Sequence, residues 1–147
     1  MLFVISWSVA MSDTFSSEIG KRYGGRTIDI RTRSQITKGL SGGISLIGSL
    51  GGFLGSLIVA IQYYLHIGIF KSSIYILFFG FFGMIIDSLI GSKFQAKYQS
   101  NDTIKEEGQK SNLISGYAAI DNCMTNFLSI AATVILFFIY TLVQYVL

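Results

Sequence analysis

The sequence predicts an all-α bundle of membrane-spanning helices. Three observations carry that expectation. Charged residues make up 13% of the 147, against 51% hydrophobic, with a mean hydropathy of +0.57; a soluble domain usually carries about 25% charged residues. The chain has no Pro and 16 Gly, a composition suited to helices that approach closely through small residues. Long uncharged apolar runs alternate with two loops that hold nearly all the Lys and Arg.

Helices are expected over residues 1–19, 44–65, 73–91 and 114–147, in one integral membrane domain, with loops over 20–43 and 92–113. The first segment is apolar from Met1 to Met11 before Asp13 interrupts it. A span needs roughly 20 apolar residues, so this one reads as the cytoplasmic end of a longer span or as a half-inserted helix. A signal peptide is excluded, since no charged n-region precedes the apolar run. Tyr23-Gly24-Gly25 marks a turn, and Ile28-Asp29-Ile30 a short extended piece.

The second helix carries Ser45, Ser49, Gly52 and Ser56 at helical spacing. It also holds two GxxxG pairs, Gly48 with Gly52 and Gly51 with Gly55. Close helix packing accounts for that pattern. A groove for a lipid tail is the alternative. His66 to Ser72 reads as a short turn. The third helix ends in Asp87-Ser88-Leu89-Ile90-Gly91, and Gln95 follows two helical turns after Asp87. Asn101-Asp102 and Glu106-Glu107-Gly108 read as solvated surface. In the last segment, Asn122, Asn126, Ser129 and Thr133 form one polar stripe.

The first loop holds Lys21, Arg22, Arg26, Arg31, Arg33 and Lys38; the second holds Lys93, Lys97, Lys105 and Lys110. Both loops fall on one side of the membrane, and the positive-inside rule makes that side cytoplasmic. Without a soluble domain to carry the basic patch, nucleic-acid binding is disfavoured. The single Cys123 excludes an internal disulfide and a cysteine zinc cluster, and His66 is the lone histidine. A metal here would be bound by oxygen, which favours Mg²⁺ or Mn²⁺.

This topology brings Asp13, Asp87 and Asp121 to one membrane depth from separate helices. Carboxylates near hydrocarbon are costly and are kept for function or paired. Independent salt bridges to nearby Lys and Arg are one reading; a shared Mg²⁺ site is the other. Small hydroxyl or amide groups flank each acid: Ser12 and Thr14, Ser88, and Asn122. Lys38 and the Gly39-Gly43 stretch precede the second helix, where backbone N–H groups and a helix N-terminus favour anions. No GxxxxGK[ST] loop is present.

Four blocks resemble the family of multi-span membrane proteins that includes transmembrane protein nineteen and the plant and cyanobacterial phytyl-phosphate kinases. They are Ser12-Asp13-Thr14-Phe15-Ser16-Ser17-Glu18-Ile19-Gly20; Lys38-Gly39 through Gly42-Gly43-Ile44-Ser45-Leu46-Ile47-Gly48; Asp87-Ser88-Leu89-Ile90-Gly91 with Gln95; and Asp121-Asn122 with Asn126. The chain departs from the family pattern at Ser12, Ser16, Leu40-Ser41, Cys123 and Thr125, and Cys123 removes one polar position. The first block, Asp13 then Gly20, Tyr23 and Gly24, is also similar to phytol and dolichol kinases and to phosphatidate cytidylyltransferases.

The resemblance implies a membrane kinase that uses CTP and Mg²⁺ on an isoprenoid monophosphate. It implies that Asp13, Asp87 and Asp121 hold the metal and that Lys38 assists transfer. Arg31, Arg33, Gly39, Gly42, Gly43, Ser45, Ser88 and Gln95 would bind substrate, with Glu18, Asn122 and Asn126 orienting groups. It further implies that more spans precede the first block. The rival expectation is a cation-coupled transporter or a lipid-handling protein without chemistry.

Overall fold

The computed structural model describes residues 1–100 and 103–146, so Asn101-Asp102 and the final Leu147 lie outside the described residues. Within them are four helices: α1 (Leu2–Tyr23), α2 (Leu46–Ile67), α3 (Phe70–Phe94) and α4 (Asn122–Val146). Between α1 and α2, strand β1 (Ile28–Asp29) pairs antiparallel with β2 (Gly43–Ile44). Between α3 and α4 lies an antiparallel sheet in the order β4 (Thr103–Lys105), β3 (Lys97–Ser100), β5 (Leu113–Ser115).

Three of the helices are long and apolar enough to cross a bilayer. They are α2, α3 and α4, of 22, 25 and 25 residues and mean hydropathy 1.6, 2.0 and 2.1. At about 1.5 Å per residue each exceeds the roughly 30 Å hydrocarbon core. Their outer faces expose Leu50, Leu54, Ile58, Phe78, Phe82, Ile135 and Phe138, the surface that lipid covers. The interior is lined instead by small hydroxyl residues: Ser8, Ser12, Ser56, Thr125, Ser129 and Thr133 are all buried. Without a hydrophobic drive between helices in lipid, close packing and interhelical hydrogen bonds must hold them together.

Helix α1 is the centre of that packing. It runs antiparallel to α2 and parallel to α3. The Ser12 hydroxyl donates to the Gly52 carbonyl at 2.8 Å, and Ser8 donates to the Ile76 carbonyl at 3.1 Å. The neighbouring glycines are what allow this approach. A Cβ at Gly55 would lie 2.6 Å from the Met11 carbonyl oxygen, and one at Gly83 would lie 2.4 Å from Val9. Among the described residues the small-residue face of α2 is therefore filled by α1, which is the close helix packing expected there and leaves no room for the alternative of a lipid-tail groove along Gly51, Gly52 and Gly55. At the far end Ile5, Val9, Val59, Ala60, Ile76 and Phe137 close an apolar core. Phe79 meets Phe137 edge-on at 5.0 Å beside it.

The helix limits differ from those expected for local reasons. α1 continues to Tyr23 and stops where the Gly24 N–H bonds the Gly20 carbonyl at 2.9 Å. The turn expected over residues 66–72 contracts to Gly68-Ile69, because Gly68 adopts a left-handed φ of 77° and caps α2. α4 begins at Asn122 and not at residue 114. The preceding stretch pairs with β3 and packs on the end of α3: Tyr117 N–H bonds the Phe94 carbonyl at 3.0 Å, and Ala96 N–H bonds that of Ile120 at 2.9 Å. The short extended piece at Ile28-Asp29 is β1.

Replacing Gly55 by Ala should destabilise the protein by about 1–3 kcal/mol, the usual cost of overpacking, because the Met11 backbone cannot yield without parting the helices. Gly25→Ala, where a Cβ meets nothing within 4 Å, should leave the melting temperature in detergent unchanged. Equal melting of both variants would contradict this account of the packing.

Candidate functional site

A cavity of about 430 Å³ opens at the end of the bundle where α1 and α3 finish and α2 and α4 begin. Its floor is set by the parallel run of α1 and α3. Val9 packs on Gly83; one helical turn further on, Asp13 and Asp87 therefore face each other. The two carboxyl groups lie within hydrogen-bonding reach. Asp87 is 7% exposed, and the Ser129 hydroxyl of α4 donates to its Oδ1 at 2.8 Å. Among the described residues Asp13, Asp87 and Asp121 form no ion pair; the pair present is Lys21 with Glu18 at 3.5 Å. Independent salt bridges thus do not explain the acids.

Around this floor the cavity is lined by hydroxyls, amides and backbone. Thr14, Ser16, Ser17, Glu18, Gly20 and Lys21 come from α1, and Ser45 and Gly48 from the start of α2. Ser88 comes from α3, and Asn122 and Asn126 from α4. Thr27 and the stretch 39–43 form one wall, and Glu106 reaches in from beyond β4. Of the residues expected at the site, Asp13, Asp87, Glu18, Gly39, Gly42, Gly43, Ser45, Ser88, Asn122 and Asn126 come together.

Others do not. Asp121 is exposed and caps α4: its Oδ1 accepts the Met124 N–H at 2.8 Å. Among the described residues no group of three or more Asp, Glu, His or Cys is placed to hold a metal, so the three-aspartate centre is not formed. Gln95 is not on the helical face of Asp87, because α3 ends at Phe94 and Gln95 turns into extended backbone. It is buried, with its Nε2 donating to Glu106 at 2.9 Å. Arg31, Arg33 and Lys38 are exposed and outside this cavity. The Gly39-Gly43 stretch is a loop that enters β2 at Gly43, not the first turn of α2. That helix begins at Leu46, and Ser45 caps it by accepting the Gly48 N–H at 3.1 Å.

Asp29 explains where the arginines went. Its Oδ1 accepts the Arg31 N–H at 3.0 Å and the Thr32 N–H at 2.8 Å, an Asx-type turn. The Ser92 hydroxyl at the end of α3 also donates to it, at 2.8 Å to Oδ2. The turn fixes the backbone of the arginine-bearing tip and ties the loop to α3. Gly42 completes the junction, with a left-handed φ of 83° and its Cα so near Ser92 that a Cβ would sit 2.5 Å away. Burial alone would raise the Asp29 carboxyl. The Thr32 N–H, the Ser92 hydroxyl, the Arg31 N–H and the Thr32 hydroxyl outweigh it and hold the group below the usual carboxylate range.

Sequence reasoning missed Glu106, Lys21, Ser41 and Asp29. One signal was present: Asp29 followed three residues later by Thr32 is a turn pattern. Nothing local marks Glu106, whose carboxylate accepts the Ser41 N–H across 65 residues of chain.

The donor set suits a hard divalent cation. Mg²⁺ is commonly held by one or two carboxylates together with substrate phosphates, and Asp13 and Asp87 are the pair that would hold it. Asn126 lines the cavity, and among the described residues its buried Oδ1 has no hydrogen-bond partner.

The family described as integral membrane protein DUF92 matches residues 1–134. An uncharacterized membrane protein of Synechocystis sp. is 35% identical over 98 residues, covering 65% of this chain and 38% of that protein. One from Methanocaldococcus jannaschii is 35% identical over 95 residues, covering 65% and 40%. Protein VTE6, chloroplastic, of Arabidopsis thaliana is 45% identical over 58 residues, 40% of this chain and 17% of that protein. The chain therefore spans at most about two-fifths of the length of these relatives. No solved structure matches it.

Because the Asp29 carboxyl is held low, its stabilisation is fully present above the unfolded pKa of about 3.9 and is lost as pH falls through the folded value. Asp29→Asn should cost about 1–2 kcal/mol near pH 7, from weakened charge-assisted hydrogen bonds. The gap to the parent should close below about pH 4. A gap that persists undiminished in acid would show that charge is not what Asp29 contributes.

Proposed function

The chain belongs to the DUF92 family of integral membrane proteins, and from that premise we propose that it is a transferase. It moves a phosphoryl group from a nucleotide, CTP by the resemblance of its motifs, to an isoprenoid monophosphate such as phytyl or polyprenyl phosphate, in a Mg²⁺-dependent reaction. The single observation that carries this reading is the cavity itself. It sets two facing carboxylates, a glycine-rich backbone and oxygen-donor side chains at one end of a membrane-spanning bundle. A lipid phosphate anchored by its tail in the bilayer would present its headgroup at that depth, and we place the site on the cytoplasmic face by the positive-inside rule.

The chemistry asks little covalent work of the protein. An anionic oxygen of the acceptor monophosphate attacks the γ-phosphorus. The new O–P bond forms as the bond from that phosphorus to the β–γ bridging oxygen breaks. The nucleoside diphosphate leaves and an isoprenyl diphosphate remains. Since the attacking oxygen is already ionised, no general base is required, and catalysis rests on positioning and charge stabilisation. Asp13 and Asp87 would hold Mg²⁺, which when bound neutralises phosphate charge. Ser129 keeps Asp87 oriented. Asn122, Asn126 and Ser88 also line the cavity and would offer polar contacts to phosphate oxygens. Lys21, which lines the cavity, takes the cationic role the sequence had suggested for Lys38.

Asp87→Asn should abolish Mg²⁺-dependent transfer of label from the γ-position to phytyl or farnesyl monophosphate, with a loss of at least about 100-fold in kcat. Lys21→Ala should lose less, and Asp121→Asn, at the helix cap, should retain turnover. Full activity in the Asp87 variant would remove the carboxylate pair from the mechanism.

A further inference from the structure

Glu106 stands between two cavities. The second, about 450 Å³, lies outside the glycine-rich loop and is lined by Lys21, Lys38 and Lys105 together with Glu107. Lys21, Gly39, Leu40 and Glu106 line both. On the inner side are the carboxylates of Asp13 and Asp87; on the outer side are three lysines.

The Glu106 carboxylate is held at both oxygens. Oε1 accepts the backbone N–H of Ser41, in the turn between Gly39 and Gly42, and Oε2 accepts Nε2 of Gln95 at 2.9 Å. A backbone N–H in a glycine-rich turn is a typical partner for a phosphate oxygen, and here an internal carboxylate has taken it. The seat is imperfect. Glu106 is close enough to Asp87 for their charges to repel, and Gln95, 1% exposed, keeps an Oε1 that has no hydrogen-bond partner among the described residues. Glu106 follows the exposed strand β4, which among the described residues is an outer strand of its sheet.

We propose that Glu106 is a latch that mimics a phosphate on the Ser41 N–H and is displaced by the phosphate chain of an incoming di- or triphosphate. Its release joins the two cavities into one channel, with the lysines along one end of the phosphate chain and the Asp13–Asp87 pair at the other. Specificity follows for a ligand long enough to reach both ends, over a single phosphate. This rests on the reading of the inner cavity as a phosphate site, but not on the transfer reaction.

The test is binding of tripolyphosphate and of orthophosphate to the detergent-solubilised chain with Mg²⁺, by calorimetry. Glu106→Gln keeps an oxygen for Ser41 but removes the competing charge; it should tighten tripolyphosphate binding about tenfold, the worth of one charge-assisted hydrogen bond. The gain for orthophosphate should be smaller. Glu107→Gln removes the same charge from the outer cavity but leaves the Ser41 N–H occupied by Glu106, and should tighten tripolyphosphate binding less than Glu106→Gln does. Gln95→Met frees Glu106 from its other partner and should also tighten tripolyphosphate binding, which covers the case that Glu106→Gln fails to fold. Equal gains for Glu106→Gln and Glu107→Gln, or no gain in Glu106→Gln and Gln95→Met, would overturn the latch. Tightening without any phosphoryl transfer would leave the latch standing and remove the kinase reading; transfer without tightening would do the reverse.

Discussion

Two carboxylates facing each other at the mouth of an apolar bundle set the terms for the rest of this structure. Like charges held side by side repel, so a cation beside the Asp13–Asp87 pair would be stabilised there. The fold holds them together regardless. Val9 against Gly83, one turn below, fixes the register of α1 on α3, and Ser129 fastens Asp87 from α4. The close approach of Val9 to Gly83 is thus what juxtaposes the two acids.

The polar interior follows from the same constraint. In lipid, apolar side chains gain little by turning inward, so the buried positions are free to carry Ser, Thr and Gly. Ser12 on the Gly52 carbonyl and Ser8 on that of Ile76 tie α1 to both neighbours. These contacts explain why α1, which carries Asp13, Glu18 and Lys21, sits among more apolar helices. Its polar end opens into the cavity and its apolar end closes the core at Ile5 and Val9. The two small sheets then act as walls. The β1–β2 ribbon is pinned by Asp29 to Ser92, and the β3 sheet delivers Glu106.

Much of this was legible in the sequence, because it depends on short-range periodicity. Uncharged runs gave α2 and α3, glycine spacing gave the close helix faces, and the polar stripe from Asn122 to Thr133 gave the inner face of α4. Topology then placed Asp13 and Asp87 at one depth. What failed depended on information outside the local pattern. An aspartate that caps a helix and one that binds a ligand look alike in sequence, and Asp121 proved to be a cap. Gln95 was placed by extending a helical period past the point where α3 stops. Arg31 and Arg33 have the right charge, but they lie exposed on the Asp29 turn and do not line the cavity. Glu106 was read as surface because only the folding of β3 and β4 back over the loop brings it to Ser41.

The measurement that tests the central claim most directly is Mn²⁺ binding, followed by electron paramagnetic resonance in detergent, with nucleotide present. Mn²⁺ takes the same oxygen ligands as Mg²⁺. The account predicts one nucleotide-dependent Mn²⁺ site that survives Asp121→Asn and disappears in the Asp13→Asn, Asp87→Asn double variant. A nucleotide-dependent site that persists in the double variant, or the absence of any site in a folded parent protein, would contradict it.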